Sequence, residues 1–222
     1  MCGRFTLAAD PSELGDEFEG FEFPKGFAPR YNISPSQPVL AIRNDGKRQA
    51  DFLVWGLVPS WAKDASIGSR LINARGETLA EKPAFRGSYK YKRCLIPADG
   101  FYEWKAEPGK KIKTPYAIRM KSGRPFAFAG LWDEWHSPDG SVLYSCTIIT
   151  TAPNQLTAPI HNRMPVILRR HDYTEWLDPL PRPAESLSGL IRPFPAELLD
   201  AYPVSTLVNS PANDAPECIQ PA

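Results

Sequence analysis

The chain has 222 residues with 26 Lys plus Arg against 25 Asp plus Glu, a net charge of +1, and is 42% hydrophobic. Its 24 prolines and 15 glycines stay below the ~25–30% share of low-complexity chains, so a folded protein is expected and the prolines belong in turns, edges and loops. No apolar run approaches the ~18 residues of a membrane span, and Met1-Cys2-Gly3-Arg4-Phe5 lacks a signal peptide's apolar stretch, so the expectation is one cytoplasmic domain with no membrane partner.

In chain order, Asp10-Pro11-Ser12-Glu13 predicts a helix start, with a capping acid, Pro at the first helical position and acid in the first turn. Pro38 to Asn44 and Gln49 to Trp55 flank Asn44-Asp45-Gly46, the strongest hairpin signal present. A helix is predicted at Glu77 to Lys82, then strands at Arg93 to Pro97, Phe101 to Lys105, Pro115 to Met120, Pro125 to Leu131, Val142 to Thr151 and Pro165 to Leu168. Helices at Asp172 to Leu177 and Ala184 to Ile191 and a strand at Pro203 to Val208 complete the reading. Strands joined by short turns rather than by crossover helices favour an antiparallel or mixed α+β sheet. No repeat or linker divides the chain, which reads as a single domain.

Cys2, Cys94, Cys146 and Cys218 show neither zinc-ligand nor disulfide spacing, so no metal is expected. Cys94 and Cys146 lie in strand-like runs, as small buried hydrophobes. Cys2 is different. Removal of Met1 would give it a free α-amine, of reference pKa ~7.7–8, beside a thiol of ~8.5. Such a pair can form an imine with an aldehyde and then close a thiazolidine, which an internal cysteine cannot do because its nitrogen is an amide. The same terminus also suits amino-terminal nucleophile amidohydrolases, where the thiol attacks an amide and the amine serves as base.

Four further segments carry chemistry. In Leu71 to Thr78, Asn73 has a donor and an acceptor to orient a substrate, and Arg75 suits phosphate. In Pro97 to Trp104, Glu103 lies among aromatics, where desolvation would raise its pKa into the range of a general acid. Ile148 to Asn154 ends an apolar strand in hydroxyls, Thr150 among them. His161, between Pro159 and Pro165 and two residues from Arg163, stands apart from His136 and His171.

Met1 to Phe5, Tyr31-Asn32-Ile33-Ser34-Pro35, Trp55-Gly56-Leu57-Val58-Pro59-Ser60-Trp61, Ile72 to Thr78, Phe101-Tyr102-Glu103-Trp104 and Ile160-His161-Asn162-Arg163-Met164-Pro165 occur in the order found in the SOS response-associated peptidase (SRAP) family, which the chain resembles from residue 2 to about 208. The resemblance implies a single α+β domain, a barrel-like, mainly antiparallel β-sheet flanked by short helices, with a short C-terminal tail. It implies covalent capture of abasic sites in single-stranded DNA, with no cofactor and the protein acting as a monomer on nucleoid DNA. Cys2 would be the crosslinking residue, Asn73 its positioning partner, and Glu103 and His161 the proton-transfer groups. Arg4, Arg75, Thr150 and Arg163 would hold phosphates, and Trp61 and Trp104 would contact bases or line the site. The family's name also keeps a peptidase reading of Cys2 open. One departure is that Ala62 stands where some members carry a second aromatic after the equivalent of Trp61, and a longer loop runs on to Arg70.

The near-neutral charge hides an asymmetry. Residues 43–124 hold 18 Lys plus Arg and 8 Asp plus Glu, while the rest of the chain holds 8 and 17. A local positive field can hold a DNA strand whatever the total charge, with affinity falling as salt rises.

Overall fold

The fold is described from a computed structural model covering residues 2–109 and 111–222. In chain order the strands are β1 (Phe5–Leu7), β2 (Arg30–Ile33), β3 (Pro38–Arg43), β4 (Ala50–Trp55), β5 (Asn73–Arg75), β6 (Arg93–Ala98) and β7 (Gly100–Lys105). They continue with β8 (Thr114–Met120), β9 (Phe126–His136), β10 (Val142–Thr151), β11 (Met164–Pro165), β12 (Ile167–Leu168) and β13 (Leu199–Pro203). The helices are short: α1 (Pro11–Glu17), α2 (Arg86–Tyr91), α3 (Tyr173–Trp176) and α4 (Ala184–Ser188).

Five strands close a barrel. β10, β4, β3, β6 and β9 are hydrogen-bonded in that order, and β9 returns to β10 through an antiparallel ladder from Val142↔His136 to Ile148↔Gly130. The β4–β10 and β5–β10 pairings are parallel, so the barrel is mixed. A second, antiparallel sheet runs β13-β8-β7-β1-β2. Phe5 joins the two layers, its ring 5.2 Å from that of Trp55 on β4 and 5.6 Å from that of Phe128 on β9, both edge-on. That anchoring holds the amino-terminal strand, and with it Cys2, against the barrel.

Local signals explain much of this. Asp10 caps α1 by accepting from the Ser12 and Glu13 amides, while the Glu13 side chain returns to the Asp10 amide, a complete capping box. The β3–β4 hairpin forms over the predicted segments, with Gly46 at φ +81° in its turn. Gly56, in the Trp55 to Trp61 motif, has φ +132°, and a Cβ there would lie 2.7 Å from the Gly68 carbonyl oxygen. The loop from Trp61 to Arg70 folds back on that glycine. Gly56→Ala is therefore expected to lower stability by about 1–3 kcal/mol from overpacking, with backbone strain of similar order added; an unchanged urea midpoint would contradict this.

Arg93 is fully buried at the start of β6. Its guanidinium donates to the carbonyls of Tyr89 and Lys90 at the end of α2 and of Trp176, Asp178 and Leu180 at and beyond the end of α3. Helix carboxyl ends present unpaired carbonyls and partial negative charge, so one cation closes both. Arg93 is thus part of the interior, and Arg43, 9% exposed, is paired with Asp45 and Asp51, which removes two charges from the basic stretch read as a surface field.

Three predicted elements differ. Glu77 to Lys82 forms only a 3-10 turn at Gly76–Thr78 followed by loop, because Pro83 disfavours helical geometry in the residue before it; the helix comes later, as α2. The strand expected at Pro203 to Val208 lies earlier, as β13, since Pro203 has no N–H to extend the ladder and the chain turns into a 3-10 segment at Thr206–Asn209. The helix expected over Ala184 to Ile191 ends at Ser188. Among the described residues no helix is long and apolar enough to cross a membrane.

Candidate active site

Register determines what surrounds Cys2. β1 pairs with β7 through Phe5↔Phe101 and Thr6↔Gly100, and the Tyr102 amide donates to the Arg4 carbonyl at 3.0 Å. The residues just before β1 therefore lie beside Glu103. Asp99 reinforces the register, accepting from the Thr6 hydroxyl and from the amides of Ala8 and Ala9, so the aspartate of the Pro97 to Trp104 motif fastens the amino-terminal strand.

Asn73 arrives from the barrel. β5 lies parallel to β10 with Ile148↔Asn73, and the Trp55 indole N–H holds the preceding Ile72 carbonyl at 2.8 Å. Asn73 Nδ2 donates to the Cys2 carbonyl at 2.8 Å. Its Oδ1 is buried without a hydrogen-bond partner among the described residues, an acceptor in want of a donor.

Glu103 is 2% exposed in the middle of β7, between β1 and β8. Burial pushes its carboxyl up to about 7. His161 follows in the loop after β10, its Nε2 3.9 Å from Glu103 Oε2, near but beyond hydrogen-bond length. His161 Nδ1 lies 3.1 Å from the Arg163 amide nitrogen and 3.3 Å from the Arg163 carbonyl oxygen, so either tautomer of the neutral ring finds a partner on Arg163 while Nε2 faces Glu103. Burial holds the imidazole below its ordinary pKa. Near neutral pH a carboxyl close to half protonated thus meets a neutral imidazole, a pair suited to moving a proton in either direction.

The Cys2 thiol departs from the sequence expectation. It is fully buried, and burial, with the negative charge of Glu103 adding to it, pushes the thiol far above its ordinary pKa. It is a neutral thiol rather than a ready thiolate.

Arg4, Glu103, Trp104, Ile112, Lys113, His161 and Asn209 line a cavity of about 440 Å³, within the range of small-molecule sites. Arg4 and Trp104 therefore share the space of the reacting groups, the Arg4 guanidinium lying 5.8 Å from the centre of the Trp104 ring. Arg163 stands behind His161, bidentate to Glu77 at 2.5 and 2.9 Å and donating to the Thr150 carbonyl at 2.7 Å. Thr150 does not reach the surface: its buried hydroxyl lies between the Ala74 carbonyl and Arg163. The expected direct phosphate contact by Thr150 is thereby corrected to a brace for Arg163, because β10 is covered by β5 and β11 at that point. Arg75 is exposed at the end of β5. Trp61, 59% exposed, lines a separate cleft of about 530 Å³ with Tyr91, Arg86, Lys92 and Asp133. Lys113, Ile112, Asn209, Asn32 and Glu77 were not singled out from sequence; only the basic run containing Lys113 and the motifs containing Asn32 and Glu77 pointed toward them. Among the described residues no group of three His, Cys, Asp or Glu side chains is placed to hold a metal ion.

Comparison with known proteins shows the family. The family model described as SOS response associated peptidase (SRAP) matches residues 1–211. The chain is 50% identical to the abasic site processing protein YoqW of Bacillus subtilis (strain 168), over 99% of each chain. It is 37% identical to the abasic site processing protein HMCES of Gallus gallus, over 88% of this chain and 67% of that one. A crystal structure of a protein from Bacteroides thetaiotaomicron superposes with a TM-score of 0.88 at 29% identity, covering 100% of both chains. With the six ordered motifs, the barrel and the family match running together from the amino terminus past β13, the chain belongs to the SOS response associated peptidase (SRAP) family.

Proposed function

We propose that this protein captures abasic sites in single-stranded DNA by forming a covalent DNA–protein crosslink through Cys2. The observation that supports this most is the gathering of Cys2, Asn73, Glu103 and His161 from four distant segments, with Glu103 and His161 lining a cavity beside the buried Cys2. The names of its relatives support the same substrate.

The chemistry follows from the protonation states. With Met1 removed, the α-amine of Cys2 attacks C1′ of the ring-opened sugar, the carbinolamine loses water, and an imine forms. His161 takes the proton released by the amine and delivers it to the carbinolamine oxygen, and Glu103 in its acid form protonates that oxygen as water leaves, giving the protonated imine. The Cys2 thiol then adds to the imine carbon and passes its proton to the Glu103 carboxylate, closing a thiazolidine and restoring both groups. The buried, neutral thiol favours amine first and thiol second; an amidohydrolase or peptidase needs a thiolate at the outset. Imine that escapes ring closure loses the 3′ phosphate by β-elimination, a weak lyase side path. The steps are reversible, so Glu103 also serves release. They require proton transfer and nucleophilic addition, which these side chains supply. Met1 itself lies outside the described residues.

Arg4 and Trp104 receive the phosphate and base next to the lesion, and Trp61 with Arg86 and Lys92 engages flanking nucleotides. Arg163, steadied by Thr150, and Arg75 face the backbone on the other side. The protein works as a monomer in the cytoplasm, on nucleoid DNA.

Purified protein mixed with single-stranded DNA bearing one abasic site is expected to give a heat-stable adduct mapping by mass to a peptide that begins at Cys2. Thiol-dependent hydrolysis of glutamine or a peptide amide with no such adduct would overturn the proposal in favour of the hydrolase reading.

A further inference from the structure

We propose that Asn32 is a positioning residue for this capture: with the carboxyl-terminal strap of residues 204–214, it holds the Arg4 guanidinium in the wall of the cavity lined by Glu103 and His161, to receive a phosphate beside the lesion. The proposal rests on the function argued above and assigns a role to the Tyr31 to Pro35 motif.

Asn32 has no exposed surface. Its Oδ1 accepts from Arg4 Nη1 at 2.7 Å, and its Nδ2 donates among the carbonyls of Val208, Ser210 and Asn213 at 3.2, 3.0 and 2.6 Å. Arg4 Nη1 also donates to the Val208 carbonyl at 2.8 Å. One amide therefore clamps the arginine and the strap together. The strap is fastened again at Asp214, which accepts from the amides of Tyr31 and Asn32 and pairs with Arg30. Trp104, under the guanidinium, is tied to the strap by its indole N–H, which donates to Asn209 Oδ1 at 2.7 Å.

What this clamp holds is a cation without an anion. Among the described residues Arg4 makes no ion pair, both identified acceptors of Nη1 are neutral carbonyl oxygens, and its buried Nε has no hydrogen-bond partner. A half-buried guanidinium gains little from that arrangement by itself. Occupying one nitrogen with fixed neutral acceptors leaves the charge uncompensated and the remaining donors pre-aimed, which suits an incoming phosphate. The strap is distant in sequence from both Asn32 and Arg4, so folding of the carboxyl terminus completes the binding site.

Crosslinking rates measured against DNA and salt concentration test this in Asn32→Ala, Arg4→Gln and the double variant. Asn32→Ala is expected to raise the half-saturating DNA concentration about tenfold, an effect of the size of one charge-assisted contact, with a much smaller change in the rate at saturation. It should flatten the plot of log affinity against log salt by about 0.7, one phosphate contact on a single strand. The double variant should be no weaker than Arg4→Gln alone, since the two residues act as one unit. Should Asn32→Ala fail to fold, Asp214→Asn, which loosens the strap from its other end, is expected to move the same quantities in the same direction by less. Additive losses, or a wild-type salt slope in the Asn32 or Asp214 variant, overturn the proposal alone. Wild-type protein that leaves abasic DNA unmodified overturns the functional reading and this proposal with it.

Discussion

Cys2→Ala abolishes the heat-stable adduct while leaving the strand open to cleavage. Alanine at position 2 retains an α-amine after Met1 removal, so the imine still forms, but no thiol is present to close the ring. The trapped imine then partitions to β-elimination, and an end-labelled oligonucleotide with one abasic site is expected to lose its shifted band and gain a cleaved one on a denaturing gel. The side chain is fully buried, so its truncation also costs stability, by about 1–2 kcal/mol for a small buried group; a native melting transition in the variant separates loss of chemistry from loss of fold. Stable adduct at wild-type yield would sink the thiazolidine.

Glu103→Gln slows both formation and reversal of the link, by roughly 100-fold for a lost general acid, and removes the pH dependence that the carboxyl imposes. Burial lifts Glu103 to about 7 from an ordinary 4.5. The acid form thus dominates below neutrality, and the wild-type rate should bend near that pH, while the glutamine variant should not. Stability carries the same signature. Because the folded pKa is raised, the contribution of Glu103 to stability is full below about 4.5 and is lost as pH rises through about 7, at up to ~1.4 kcal/mol per pH unit. Glutamine is neutral throughout, so the variant should gain on the wild type across that window and level off above it. The same inflection in both proteins, in rate and in melting temperature, would remove Glu103 from its role.

The lifted carboxyl and the depressed imidazole have one cause. Both groups lie where the amino-terminal segment, β7 and the loop after β10 converge, and desolvation disfavours the charged form of each. The thiol follows the same rule, its pKa raised by burial. In the proposed mechanism, that one environment would order the two nucleophiles of a single residue, amine first and thiol second.

Local signals made part of this legible in the chain itself. The capping box at Asp10, the Asn44-Asp45-Gly46 hairpin and the apolar strand from Val142 to Thr151 rest on local signals, and each formed as read. The candidates that the fold brings together were legible as well, because an amino-terminal cysteine, a carboxylate among aromatics and a histidine between prolines carry their chemistry in their types. The short elements were not. β1, β2 and β5 are three or four residues long, too short for any period to declare itself, and they exist because barrel and sheet supply partners for their backbone groups.

The sequence by itself determined the α+β class, the family and the candidates for the reacting groups, since these depend on residue types and on patterns read along the chain. Only the tertiary structure decided which of them lie together. It separated Trp61 from the cavity of Trp104, buried Thr150 behind Arg163, and joined Asn32 and Arg4 to each other and to a strap 176 to 204 residues away. Those outcomes rest on long-range register and on the loss of water around particular atoms, and neither quantity is a property of a residue until the chain has closed around it.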